Sequence, residues 1–192
     1  LNKQSVFDGM VEWIGAVIEH YSRRPDRLLV IKAHPAETNP HIPQTRQSVR
    51  EEIGRRFSQL PENVIFVDSD AEISVYQIME HINLGLVYTT TTGLEMACAG
   101  LPVITAARSV YRGMGFTMDP RTRTEYFEVL DSYLGGICEN GKTREAKSDL
   151  AKKFFYLYYF RYFCSLNLFE SAYKGVPVLY VDTAKELLPG VN

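Results

Sequence analysis

The chain has 192 residues, of which 45% are hydrophobic and 23% are charged, and its formal net charge is −2 at pH 7. These values are ordinary for a globular domain, and they argue against general binding to nucleic acid. No apolar run approaches the roughly 20 residues of a membrane-spanning helix, and no signal peptide is visible. Cys98, Cys138 and Cys164 lack metal-binding or redox spacing, which predicts a reduced, cytoplasmic protein. Neither a metal site nor a cofactor is expected.

Helical and strand patterns alternate along the first two-thirds of the chain. Apolar residues at helical spacing predict a first helix over about residues 4–22. Apolar runs predict buried strands near residues 28–33, 63–67, 84–88 and 101–105. Further helices are predicted near residues 46–57, 73–81, 93–99 and 124–133, the last with Thr124 as its N-cap. This order is typical of an α/β fold with a Rossmann-like, doubly wound parallel sheet.

The segment at 88–104 carries the most informative pattern. A buried strand is followed by Thr91-Thr92-Gly93 and then by a short helix. Free backbone N–H groups, hydroxyl donors and a helix dipole meet at such a turn, which suits a phosphate group. Glu95 lies in the first helical turn, where its carboxylate could accept hydrogen bonds from a ribose. An ordinary strand–turn–helix connection capped by Thr92 explains the same residues about equally well.

A second polar strand end follows residues 28–31. It reads Lys32-Ala-His34-Pro35-Ala-Glu37. Ligands of open parallel sheets bind beyond the carboxyl ends of the strands, and Pro35 limits the backbone of His34. We therefore expect His34 and Thr91 at one edge of the sheet, close enough to share a nucleotide. Asp68-Ser-Asp70 follows a different strand and is interpreted as helix capping rather than as a metal site.

Four blocks occur in order, at residues 30–37, 73–76, 88–103 and 111–117. Together they resemble the bacterial capsule polysaccharide biosynthesis proteins, a family that includes the Kdo transferases of capsule assembly. Members of that family resemble two-domain GT-B glycosyltransferases, whose C-terminal Rossmann-like half binds a nucleotide sugar. The resemblance implies a donor-binding domain at residues 1–140. It implies a helical extension at 141–192, packed on that domain or on a missing N-terminal domain.

The resemblance also implies a set of donor-binding residues. His34 would contact the donor phosphate or nucleotide, Glu95 would hold the ribose, and the loop around Tyr111 would lie near the donor sugar. The threonines and the glycine of the turn would cradle the phosphate. The full substrate-binding set is Lys32, His34, Glu37, Thr91, Thr92, Gly93, Glu95, Tyr111, Arg112 and Gly113. The catalytic base would lie in the missing half.

The implied function is transfer of a sugar from a nucleotide sugar, such as CMP-Kdo, to a capsule or surface polysaccharide. The polysaccharide or glycolipid acceptor would bind a missing N-terminal domain, so the fragment alone is expected to bind donor weakly and to be inactive. The chain is also expected to start after the first strand of the nucleotide-binding half. Two alternatives are half of a sugar-nucleotide epimerase and a non-catalytic domain in capsule assembly or export. The block at 111–117 argues against the epimerase.

The segment at 152–163 is aromatic on all sides. Six of its eight aromatic residues supply more apolar surface than one face of a small domain needs, which predicts self-association through 152–163 or packing against the missing domain. These six are Phe154, Phe155, Tyr158, Tyr159, Tyr162 and Phe163. Its two lysines and one arginine also allow a peripheral helix at the inner membrane face. A last short strand is predicted near 175–181.

Overall fold

The computed structural model describes residues 5–34, 37, 48–137, 139–162, 169–171 and 177–179. The chain is divided into two compact units, Leu1–Phe155 and Tyr156–Asn192. The helices are Met10–Ser22 (α1), Val49–Arg56 (α2), Val75–Met79 (α3), Thr92–Cys98 (α4), Arg123–Leu134 (α5) and Gly141–Tyr156 (α6), followed by a π-helical segment, Leu157–Tyr162. The strands are Leu29–Lys32 (β1), Val64–Val67 (β2), Gly85–Val87 (β3), Val103–Thr105 (β4), Phe169–Ser171 (β5) and Pro177–Leu179 (β6).

The strands of the first unit form two parallel pairs. Strand β1 pairs with β2, starting from Leu29 opposite Val64. Strand β3 pairs with β4, starting from Gly85 opposite Val103. The four predicted strands and their parallel direction are thus confirmed. Among the described residues, however, the hydrogen bonds form two separate two-stranded sheets and not the one continuous sheet that was predicted.

One hydrophobic core joins the two pairs. Its buried residues come from α1, α2, α5 and from strands of both pairs, and they include Ile18, Leu29, Val64, Ile104, Tyr126 and Leu130. A second cluster lies under α4 and α6 and includes Leu94, Val103, Tyr111, Phe116 and Ala151. Each large aliphatic side chain buried in this way stabilises the fold by about 1.5–3 kcal/mol. The clusters therefore hold the two strand pairs between helices, as expected for an α/β domain.

Helix α1 begins at Met10, later than the predicted residue 4. The N-cap is Gly9 in an extended conformation, with φ −179°. Before it, the Val6 N–H donates to the Ala106 oxygen at 3.0 Å, and the Ser5 hydroxyl lies 3.1 Å from the Tyr88 hydroxyl. Tyr88 follows β3 and Ala106 follows β4, so residues 5–6 lie at the carboxyl ends of these strands. Their hydrogen bonds to that edge are incompatible with a helix at 5–9.

Hydroxyl side chains cap three of the helices. Ser48 caps α2, and Ser74 caps α3 in a reciprocal arrangement with Gln77. At α5 the Thr122 hydroxyl accepts from the Glu125 N–H at 3.1 Å, so the prediction of Thr124 as the cap was wrong by two residues. Thr122 takes this role because its backbone is extended, with φ −129° and ψ 160°, as an N-cap requires.

The second unit begins within the aromatic segment, at Tyr156. Tyr156 stacks on Phe160 with ring centroids 5.8 Å apart, and Tyr158 stacks on Tyr162 at 6.3 Å. Strand β6 confirms the predicted last strand, and it pairs antiparallel with β5, which was not predicted. In the described parts of the chain, no helix is long and apolar enough to cross a membrane.

Candidate functional site

The turn after β3 is built by the hydroxyl of Thr90. Its Oγ1 accepts from the Thr92 N–H at 3.3 Å and lies 3.0 Å from the Thr92 Oγ1. The N-cap of α4 is Thr91, which has a helical backbone and makes no side-chain capping bond. The alternative of a turn capped by Thr92 is therefore wrong, because Thr92 is already the first helical residue. Thr91 itself is exposed.

The backbone N–H groups at the start of α4 already have acceptors within the turn. The N–H of Thr92 uses the Thr90 hydroxyl, and the N–H of Gly93 reaches the Thr90 oxygen at 3.4 Å. The next two N–H groups donate to the Thr91 oxygen, at 2.9 and 3.3 Å. The prediction of free N–H groups was thus wrong, because a helical turn already begins at Thr90. The bond from Gly93 is long and therefore weak.

Tyr111 and Gly93 lie against each other. The Tyr111 side chain is fully buried, and its hydroxyl donates to the Thr90 oxygen at 2.6 Å. A Cβ atom at position 93 would overlap that hydroxyl and would come within 3.0 Å of Val87 Cγ2. The structure therefore brings the threonine turn together with the loop at 106–122. Packing also explains why residue 93 is glycine, since any side chain there would overlap the Tyr111 hydroxyl.

Asp119 organises the loop that carries Tyr111, Arg112 and Gly113. Its carboxylate accepts from the Thr105 hydroxyl at 2.7 Å, the Thr117 hydroxyl at 2.8 Å and the Gly113 N–H at 2.7 Å. Gly113 has φ +83°, a left-handed conformation that favours glycine. No role was predicted for Asp119 from the sequence, because this residue lies two positions beyond the 111–117 block. A Thr-x-Asp spacing before Pro120 was the available signal.

Arg112 points into this loop. Its Nη1 donates to the Thr105 oxygen at 3.0 Å and to the Thr105 Oγ1 at 2.6 Å, and its Nη2 donates to the Pro120 oxygen. These bonds tie the end of β4 to the loop. The guanidinium thus has structural partners, and Arg112 fixes where Gly113 and its exposed neighbours lie.

The second predicted group lies at the ends of β1 and β2. The Lys32 ammonium donates to the Asp68 oxygen, and the Arg50 Nε donates to Asp68 Oδ2 at 2.5 Å. A Glu37 carboxylate oxygen accepts from the Val49 N–H at 3.1 Å, at the start of α2. The interpretation of Asp68-Ser-Asp70 as helix capping was wrong, because Ser74 caps α3. The Asp68 carboxylate instead accepts from Arg50 of α2 and from the Ser69 N–H.

The predicted residues thus lie in two groups. Lys32 and Glu37 contact the β2 end and α2, and His34 is exposed two residues beyond β1. The turn residues of α4 contact the Tyr111 loop, and Glu95 is half-buried in the first turn of that helix. Both groups follow the carboxyl ends of parallel strands, where ligands bind in such sheets. Within the described residues, no group of three or more His, Cys, Asp or Glu side chains could hold a metal ion.

The buried hydroxyl of Tyr111 makes the stability of this site sensitive to alkaline pH. Burial raises the pKa of Tyr111 from its ordinary value of 10.0 to about 12. A raised folded-state pKa gives stability that is complete below the unfolded pKa and is lost as pH rises toward the folded value. From this group we expect a loss of about 1.4 kcal/mol by pH 11. Urea unfolding of wild type and Tyr111→Phe at pH 8 and pH 11 checks this expectation, and an equal pH effect in both proteins would contradict it.

Comparison with known proteins adds one result. The family described as "Capsule polysaccharide biosynthesis protein" matches residues 2–128, which is more than half of the chain. The match begins ahead of α1 and ends within α5, and it includes both residue groups and the Asp119 loop. No curated protein matches the chain.

Proposed function

The chain belongs to the capsule polysaccharide biosynthesis protein family, and we propose that its first unit is the donor-binding domain of a glycosyltransferase. The donor in this proposal is a nucleotide sugar, and the product is a capsule or surface polysaccharide. The observation that carries the proposal is the threonine turn at the end of β3. The buried Tyr111 stabilises this turn, because its hydroxyl donates to the Thr90 oxygen. A turn fixed in this way presents hydroxyl groups without reorganisation, as phosphate stabilisation requires.

The leaving phosphate is the part of the donor that this turn would hold. Transfer of the sugar builds negative charge on that phosphate, and prepositioned donors stabilise it. In our proposal the exposed Thr91 hydroxyl, the Thr92 hydroxyl and the weakly bonded Gly93 N–H are those donors. The Glu95 carboxylate, in the first turn of α4, accepts from the ribose hydroxyls.

The other predicted residues either position the turn or act from the end of β1 in the proposed site. Tyr111 and Arg112 act as positioning residues, because their polar atoms contact the protein itself. His34, from the end of β1, supplies a second contact to the nucleotide or its phosphate. Lys32 adds positive charge beside it, and Glu37 holds that segment to the start of α2. The non-catalytic alternative requires none of these contacts to a nucleotide.

Calorimetric titration of the 192-residue chain with CMP, UDP and GDP tests the proposal. We expect one nucleotide to bind and the other two to bind at least tenfold more weakly, since a preformed nucleotide site is selective for one base. Absence of binding for all three would support a non-catalytic role in capsule assembly or export. The same titration names the donor base.

The contribution of His34 to this binding is a separate prediction. His34→Ala is expected to weaken nucleotide binding by about 1–3 kcal/mol, the scale of a hydrogen bond to a charged group. Thr91→Ala is expected to cost less, because Thr92 and Gly93 remain. His81→Ala is the matched control, since His81 is also an exposed histidine of the first unit but follows a helix. Equal affinity in wild type and His34→Ala would remove His34 from the site.

The remaining partners belong to the same proposal. The polysaccharide or glycolipid acceptor binds through another domain of the enzyme. The aromatic segment at 152–163 mediates self-association, with contact to a membrane surface as the alternative. This part is supported by exposed side chains, since Tyr156, Leu157, Phe160 and Tyr162 are each more than half exposed.

A further inference from the structure

The threonine turn of the proposed donor site lies in a segment without positive charge. Residues 88–100 contain no Lys or Arg, and Glu95 is the acidic residue in the first turn of α4. On the neighbouring loop, the Arg112 guanidinium donates to oxygens of the protein itself. Lys32 belongs to the other strand pair, where its ammonium donates to Asp68. Hydrogen bonds from a charged donor to phosphate are roughly twice as strong as neutral ones, so a cation at this turn would have to come from another residue.

Arg108 follows the end of the strand next to this turn. Strands β3 and β4 pair in parallel as far as Val87 opposite Thr105, and the Ala106 N–H extends the pairing by donating to the Val87 oxygen at 2.8 Å. The turn begins at Thr90, three residues beyond Val87, and Arg108 lies three residues beyond Thr105. Both therefore lie beyond the carboxyl ends of two adjacent parallel strands, where ligands of such sheets bind.

The backbone on each side of Arg108 is held in place. Ala107 and Tyr111 are buried, and the Tyr111 hydroxyl donates to the Thr90 oxygen at 2.6 Å. Between them, the N–H of residue 112 donates to the oxygen of residue 109 at 3.3 Å and closes a tight turn. Residues 107–111 therefore lead from the end of β4 to the threonine turn, with Arg108 between two fixed points.

The Arg108 side chain is exposed and available to a ligand. Its guanidinium makes no ion pair or hydrogen bond with any residue that the structure describes. The first carboxylate that follows it in the chain is Asp119, which already accepts from the Thr105 hydroxyl, the Thr117 hydroxyl and the Gly113 N–H. Arg108 thus brings to the edge of the turn a positive charge that has no partner in the described part of the chain.

We propose that Arg108 is a phosphate-binding residue of the donor site and that its guanidinium pairs with the donor phosphate at the threonine turn. This inference rests on the proposed function and adds to it the positive charge that the turn lacks. A guanidinium is always protonated, and its planar N–H groups match two oxygens of one phosphate. The pairing makes Arg108 specific for the phosphate of the donor, while the base is recognised by other groups.

Calorimetric titration of wild type and Arg108→Gln with CMP, UDP and GDP tests this proposal on the full 192-residue chain. For the nucleotide that binds, we expect Arg108→Gln to weaken affinity by about tenfold or more, the scale of a lost hydrogen bond to a charged group. The matching nucleoside (cytidine, uridine or guanosine) is titrated by NMR, which follows weak binding. Its affinity is expected to be equal in the two proteins, since it has no phosphate.

Two further variants show whether the effect belongs to this guanidinium. Arg108→Lys keeps the charge but loses the paired N–H groups, so we expect a smaller loss of affinity than with glutamine. Arg23→Gln is the matched control, because Arg23 is also exposed and without a described side-chain bond but follows α1 as its C-cap. We expect this variant to bind nucleotide like wild type. The urea midpoint of each variant is measured as well, and it is expected to be unchanged because neither side chain contacts the fold.

Three results would overturn the proposal while leaving the proposed function in place. They are equal nucleotide affinity in wild type and Arg108→Gln, equal losses in Arg108→Gln and Arg23→Gln, and equal losses for nucleotide and nucleoside in Arg108→Gln. The second would indicate a general attraction by net charge, and the third a contact to the base or ribose. A wild-type chain that binds none of the three nucleotides would reject the proposed function, and the role of Arg108 with it.

Discussion

Asp119→Ala is expected to lower the free energy of unfolding of the first unit by about 3 kcal/mol or more. The substitution removes an acceptor shared by the Thr105 hydroxyl, the Thr117 hydroxyl and the Gly113 N–H. Thr105 and Thr117 are buried, so their hydroxyls would lose a partner where water does not readily replace it. Urea unfolding followed by circular dichroism measures the loss.

Two further variants show whether the loss comes from this network. Asp119→Asn keeps the shape and one acceptor oxygen, so we expect a smaller loss than with alanine. Asp149→Ala is the matched surface control, because its ion pair with Lys152 spans 3.8 Å and both side chains are about 60% exposed. Exposed pairs of this kind contribute at most about 1 kcal/mol. A wild-type midpoint in Asp119→Ala would contradict the role assigned to the loop.

The loop network also has a consequence for the proposed donor site. Arg112 and Asp119 both contact Thr105, and Tyr111 on the same loop supports the Thr90 oxygen. Loosening the loop should therefore loosen the turn above it. If the proposed function is right, Asp119→Ala weakens nucleotide binding even under conditions where the variant remains folded.

The sequence predicted the elements of the first unit better than their assembly. Each buried strand was located because apolar runs bounded by polar residues are a local signal. The division into two sheets was not predicted, because it depends on which strands lie next to each other. Strand pairing is a long-range property, and no single segment of the sequence has a local signal for it. The start of α1 was misplaced for a related reason. The bonds of Ser5 and Val6 to residues 88 and 106 are long-range and override the helical spacing.

The candidate site shows the same limit at the level of side chains. The Thr-Thr-Gly pattern correctly indicated a strand–turn–helix junction, since turn residues and helix starts have local signatures. The direction of each polar group was not predictable. Thr90 rather than Thr92 forms the turn, and Arg112 contacts backbone oxygens of its own loop. Packing determines which partner each polar group contacts, and here the burial of Tyr111 is the main cause.

Gly93→Ala is expected to destabilise the first unit by about 3 kcal/mol, the upper end of the cost of overpacking a core. The new methyl group would overlap the Tyr111 hydroxyl and crowd Val87. Tyr111 cannot move aside cheaply, because it is fully buried and its hydroxyl is bonded to the Thr90 oxygen. Gly54→Ala is the control, since a Cβ at that exposed position in α2 meets nothing within 4 Å. A helix gains about 0.5–1 kcal/mol from that change.

The double variant Gly93→Ala, Tyr111→Phe separates a steric cause from a general loss of helix stability. Tyr111→Phe alone is expected to cost about 1–2 kcal/mol, because the Thr90 oxygen loses its donor. In the double variant the overlapping hydroxyl is gone, and the nearest ring carbon would lie 3.1 Å from the new Cβ. The combined loss should therefore be smaller than the sum of the two single losses by at least about 1 kcal/mol. Strictly additive losses would show that Gly93 is required for some reason other than the contact with Tyr111.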